Sequence, residues 1–225
     1  MSFIADRERE EIEALNERIK EKENTPLLKR FLEAFGNMFA LNLCFVITCI
    51  PIVTIGASVT ALYAMCIRLQ DGRESTVLHG FIENFKKNFK QATVAWGIIL
   101  LCAAVMLAEY VMINNIPTSF NDFYTILLII EAIVFLFTLP FVFPLISQYD
   151  NSIFNVFKNS FLLSVAYLGS WIKVLLAWIA PILISIIYPM VFIYTWYLWL
   201  LLIFGAIAWG SSYTIRHVFE ISSAG

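Results

Sequence analysis

Four stretches of this chain carry no charged side chain at all: residues 34–67, 91–108, 132–149 and 174–215. In hydrocarbon every backbone N–H and C=O must be bonded within the protein, which favours helices for any segment that crosses. A hydrocarbon core of about 30 Å takes roughly 20 helical residues to traverse. With 60% apolar residues and a mean hydropathy of +0.78, the chain is expected to be an all-α polytopic membrane bundle. No soluble domain of ordinary size fits beside it, and only 1–23 has soluble character.

Two of the blocks are too long for one crossing. At about 1.5 Å per residue, 34–67 would make a helix of about 51 Å and 174–215 one of about 63 Å. In the first, Pro51 ends a helix and Gly56 opens the next. In the second, Pro181, Pro189 and the aromatic cluster Tyr188, Tyr194, Trp196, Tyr197 and Trp199 place a turn near 188–196, because Tyr and Trp favour the membrane interface. Six spans result, at about 31–50, 57–70, 92–113, 123–147, 161–187 and 196–215. The excess of Lys and Arg on cytoplasmic loops tests the count. Residues 1–30, 68–91, 148–160 and 216–225 hold all fifteen Lys and Arg except Lys173, and the other turns hold none. Both termini are therefore expected to be cytoplasmic, in a multi-pass protein of a plasma membrane.

The fringes read differently. Residues 1–23 hold eight acids and five bases and suggest a charged, solvated or partner-docking helix. No early apolar core of a signal peptide precedes the first span. In 75–91, Phe81, Phe85 and Phe89 share one helical face with Lys86, Lys87 and Lys90 on its flanks, which predicts an interfacial amphipathic helix before span 3. No broad basic face offers a nucleic-acid surface.

The segments 24–39, 41–43 and 51–63, continuing through ArgLeuGlnAspGly at 68–72 and PheIleGluAsnPheLysLysAsnPheLysGlnAla at 81–92, resemble the YesL family of small bacterial membrane proteins. That resemblance implies an accessory component associated with bacterial sugar uptake by ABC transporters, with no catalytic residues to carry over. It singles out Pro51, Gly56, Tyr63, Gly72, Phe81, Phe85, Asn88 and Phe89 as a motif, and as a candidate surface for a partner.

Chemistry-bearing residues are few. Cys44, Cys49, Cys66 and Cys102 lie in apolar blocks without a CxxC, and only His79 and His217 could join them, so no metal site or cofactor is expected. Walker, HExxH and GxSxG patterns are absent; the chain is read as non-catalytic. Glu109, Glu131 and Lys173 are the charges inside or near spans, where ionisable groups mark function. Two readings stand for the carboxylates: they meet in the outer half as a proton- or cation-carrying pair, or Glu109 reaches the outer headgroups while Glu131 is hydrogen-bonded within the bundle. Thr48, Thr54, Ser58 and Thr60 are packing hydroxyls, with a polar vestibule as the alternative reading. Gly205, Ala206, Ala208 and Gly210 would allow a homodimer through span 6. Three functions follow: an accessory or regulatory partner of a transporter, a small permease or channel lined by Glu131, and a lipid-handling protein. A cavity reaching from the outer face to Glu131 would favour the second, and an exposed apolar groove on a closed bundle the first.

Overall fold

The computed structural model of the chain describes residues 27–72, 76–115 and 121–224. The expected charged helix at 1–23 lies outside the described residues. Among those described, every regular element is helical: α1 (Leu27–Cys49), a short 3-10 turn (Ile52–Thr54), α2 (Ile55–Gln70), α3 (Val77–Asn115), α4 (Asn121–Gln148), α5 (Ile153–Ala166), α6 (Leu168–Ile187), α7 (Pro189–Leu198), a π turn (Trp199–Ile203) and α8 (Phe204–Ala224). Six stretches are long and apolar enough to cross a membrane: 32–49, 52–70, 77–115, 121–148, 168–187 and 189–222. The protein is a polytopic all-α bundle.

α2 forms the axis. Ala57, Ala61, Leu62, Met65 and Cys66 are fully buried, and the helix packs against α1, α3, α4 and α8. Gly56 is the tightest point. A Cβ there would stand 2.5 Å from the Ala92 carbonyl oxygen, 2.7 Å from Trp96 Cβ and 3.0 Å from Phe143. The hairpin needs glycine because three helices converge on that backbone. Pro51, which lacks an N–H, precedes the 3-10 turn. Beyond α2 the chain turns at Gly72, whose φ of 70° suits glycine.

α3 runs unbroken for 39 residues, about 58 Å. The expected interfacial helix at 75–91 is therefore corrected. Residues 77–91 are the first turns of the span 3 helix, because no glycine or proline interrupts Asn88–Ala95. Val77, Phe81, Asn84, Asn88, Ala92, Ala95 and Ile99 form a buried stripe at the three-to-four spacing of a helix face. Phe81 points into the core, while Phe89 is exposed.

α4 contains Pro140 and Pro144 yet remains helical. Proline removes the N–H that would bond the carbonyl four residues back and crowds that turn. The carbonyls affected by Pro140 find side chains instead. Trp171 Nε1 donates to Leu136 O at 3.3 Å, and the Ser164 hydroxyl donates to Phe137 O. Beyond this kink Phe141–Ile146 are buried all round. The expected fifth span (161–187) is divided: α5 ends at Ala166, Tyr167 adopts φ −121° and ψ 54°, and α6 starts at Leu168.

The expected turn at 188–196 narrows to one residue. Tyr188 (φ −119°, ψ 78°) separates α6 from α7, with Pro189 at the first position of α7, where its missing N–H goes unneeded. α7 buries no residue. The π turn then leads into α8. Asn42, fully buried on α1, holds this irregularity: its Nδ2 donates to Trp199 O (3.0 Å) and Leu200 O (2.6 Å), and its Oδ1 accepts from Gly205 N (2.8 Å).

Candidate functional site

The carboxyls of Glu109 and Glu131 meet across α3 and α4, within hydrogen-bonding reach of one another. Both are half-buried. Glu109 Oε2 is shielded and finds no donor among the described residues. A neighbouring carboxyl can donate to it only when it carries a proton. Lys173 stays apart: it lies exposed on α6 beside the fully buried Val174, and no ion pair joins it to either glutamate among the described residues.

Glu131 also lines a groove of about 470 Å³ between α3 and α4. Ile98, Cys102 and Val105 form one wall, Val134, Phe135 and Thr138 the other, and Phe157 of α5 part of its floor. Apart from Glu131 and Thr138 the lining is apolar. Its volume is that of an ordinary small-molecule site, and one carboxyl is its strongest polar feature.

The eight motif residues do something other than present a surface. Gly56, Tyr63, Phe81 and Asn88 are buried and join α2 to its neighbours, so the expected partner surface is corrected: burial leaves only Pro51 and Phe89 exposed, with Phe85 and Gly72 partly covered. Tyr63 sits at a junction of three helices. Its hydroxyl accepts from Trp178 Nε1 at 2.7 Å and lies 3.2 Å from Ser211 Oγ. Asn88 Nδ2 donates to Asn84 O (3.1 Å), and Asn84 Nδ2 to Gly80 O (2.7 Å), one turn back along α3.

The hydroxyls near the hairpin bond their own backbone: Thr48 Oγ1 to Cys44 O (2.7 Å), Ser58 Oγ to Thr54 O (2.9 Å) and Thr60 Oγ1 to Gly56 O (2.8 Å). They line no vestibule. Of the small residues expected to serve a homodimer, Gly205 packs against Met38 O and Asn42 of α1 and Ala208 is fully buried. Ala206 and Gly210 are exposed, with nothing within 4 Å of a Cβ at Gly210. Cys44, Cys49, Cys66 and Cys102 are free thiols, and no three metal-ligating side chains converge among the described residues.

Sequence reasoning missed the polar stitching of α8. Gln70 Nε2 donates to Trp209 O (3.0 Å) and Ser212 Oγ (2.5 Å). Arg216 pairs with Asp71 at 2.7 Å and with Glu220 at 2.8 Å. Asn42, Tyr63 and Gln70 thus reach one helix from two. The available signal was an uncharged amide in each of α1 and α2, since polar side chains inside spans usually bond across helices.

Comparison with known proteins is consistent with this placement of the motif. No curated protein and no solved structure matches the chain. The family described as "Protein of unknown function, DUF624" matches residues 38–110, the stretch from the second half of α1 through most of α3. The chain is a multi-pass helical protein similar to that family over its α1–α3 core.

Proposed function

We propose that this protein is a non-catalytic accessory or regulatory partner of a bacterial transport system in the plasma membrane, with carbohydrate uptake by an ABC transporter as the system implied by the YesL resemblance. The chain ends lie on the cytoplasmic side in this reading. The observation that carries it is a division of the bundle. α2 fills the axis with packed side chains, while α3 and α4 beyond Trp96 leave Leu101, Val105, Leu107, Ile126, Ile129 and Ile133 exposed. A plugged axis beside an open apolar flank suits a protein that docks on other membrane helices better than one that conducts. Purification of the tagged protein from its native membrane in mild detergent tests this reading. Stoichiometric recovery of transporter permease subunits is the expected result, and recovery of the protein alone overturns it.

The Glu109–Glu131 contact favours a second reading, a small proton- or cation-coupled permease. Liposome flux that depends on the protein and disappears in Glu131→Gln would support it. Flux equal to that of empty liposomes removes it.

A further inference from the structure

α2 and α3 pack antiparallel, and three contacts fix their register. Arg68 Nη1 lies 4.0 Å from the Glu83 carboxylate. Asn84 Nδ2 lies 3.9 Å from Met65 Sδ. Gly56 abuts Ala92 and Trp96, and Trp96 Nε1 donates to Ile52 O at 2.8 Å. The α1–α2 turn therefore stands level with Ala92–Trp96. α3 continues from Trp96 to Asn115, about 28 Å further, close to a whole hydrocarbon core of about 30 Å.

Charge sets where the bilayer meets α3. Lys86, Lys87 and Lys90 are exposed and lie below the level of the turn, alongside α2. Ammonium groups are costly in hydrocarbon and reach for the nearer interface. The uncharged run starts at Gln91, and above it Leu101, Val105, Leu107 and Tyr110 are exposed and need an apolar membrane environment, acyl chains or the helices of a partner. A bilayer placed on that part of α3 leaves the α1–α2 turn in the half nearer the lysines. The apolar character of α2 has another explanation: 67% of the stretch 52–70 is buried in protein, against 17% or less in the other five candidate spans.

The chemistry of the turn agrees. Ile50, Ile52 and Val53 are 77%, 66% and 61% exposed, an apolar tip. Three carbonyls there have donors inside the protein: Thr48 O has the Thr54 hydroxyl (2.5 Å), Pro51 O has Thr54 N (3.0 Å), and Ile52 O has Trp96 Nε1 (2.8 Å). Water would supply those bonds at a solvated loop, whereas hydrocarbon would not. The α3–α4 connection differs in composition, flanked by the polar Asn114, Asn115, Asn121 and Asp122.

We infer that α1 and α2 form a re-entrant hairpin, which enters the bilayer from the side of Lys86, Lys87 and Lys90, turns at Ile50–Thr54 among lipid acyl chains, and leaves by the same side. The sidedness of α3 and everything after it is the same as for two full crossings. The inference is independent of the proposed function.

Single cysteines test it in the full chain with Cys44, Cys49, Cys66 and Cys102 replaced by Ala. Ile52→Cys and Val53→Cys report on the tip, with Asn115→Cys and Lys87→Cys as references for the two faces. Ile50→Cys replaces either tip variant that does not elute as a single species. A charged, impermeant maleimide is applied to intact cells and to inside-out vesicles. Asn115→Cys and Lys87→Cys are expected to react from opposite faces. The tip cysteines are expected to react at least about tenfold more slowly from both faces, and to become reactive in mild detergent. Tip labelling at the Asn115→Cys rate from its face overturns the inference in favour of two full crossings. Labelling from the Lys87 face overturns the placement in hydrocarbon. A tip still unreactive in detergent is covered by protein and overturns lipid as its partner.

Discussion

Gly56 and Gly97 separate two reasons for a glycine in a helix. A methyl at Gly56 meets backbone and Cβ atoms that cannot move independently, whereas at Gly97 nothing lies within 4 Å. Gly56→Ala is expected to destabilise by about 1–3 kcal/mol through overpacking, and Gly97→Ala to be neutral or to stabilise by up to about 1 kcal/mol through helix propensity. Thermal unfolding in detergent, followed by size-exclusion recovery, checks both; equal shifts would remove the close-approach account. Asn42 offers a second contrast. Asn42→Leu removes three hydrogen bonds to the π turn and α8, at roughly 0.6 kcal/mol each inside a membrane. A total loss of about 2 kcal/mol is expected, with faster amide exchange at Gly205. The sequence marks Pro51 and Gly56 as a turn, but it does not reveal that Gly56 lies inside α2 and is required by Ala92 and Trp96, residues some forty positions away.

At the scale of elements, the apolar pattern locates the helices and the prolines mislead about continuity. Pro51 and Pro189 do coincide with breaks, since each stands where the following chain can turn. Pro140, Pro144 and Pro181 lie within helices, because neighbours can take up the carbonyls that proline frees. Trp171 and Ser164 do so for α4, and that pairing depends on where α5 and α6 fold back. Trp171→Phe keeps an aromatic ring facing Phe137, which stacks on Trp171 at 4.3 Å between centroids, but removes the N–H together with the indole's second ring; it is expected to cost about 1–2 kcal/mol. Trp171→Ala removes both rings and is expected to cost about 3–5 kcal/mol. Denaturation in mixed micelles measures the difference, and equal losses would place all of the effect in the N–H and the second ring. The unbroken α3 was hidden for a related reason. Its amphipathic first half and apolar second half differ in composition, and composition follows surroundings rather than helix ends. That Glu109 and Glu131 lie on adjoining helices was legible, whereas their contact was one of two open readings. The groove beside them was not legible, since Phe157 arrives from α5.

For the molecule as a whole, the last helix closes the bundle onto the end of α2. Asp71 is 10% exposed and Arg216 38% exposed across their 2.7 Å contact, between the values for surface and buried ion pairs. Arg216→Ala is expected to lower stability by about 1–3 kcal/mol. Combining it with Asp71→Asn should cost less than the sum of the two single changes. Strict additivity, measured by the same unfolding assay, would mean that the two ends of the chain's core are not coupled through this pair. The remaining consequence concerns α3, whose 39 residues make a rod of about 58 Å without a joint. Its lower half is gripped by α2 and its far end is held chiefly by α4. Such a rod acts as a lever: a tilt of about 5° pivoting at Lys87 sweeps Glu109, about 33 Å further along, through about 3 Å, roughly half a helical pitch.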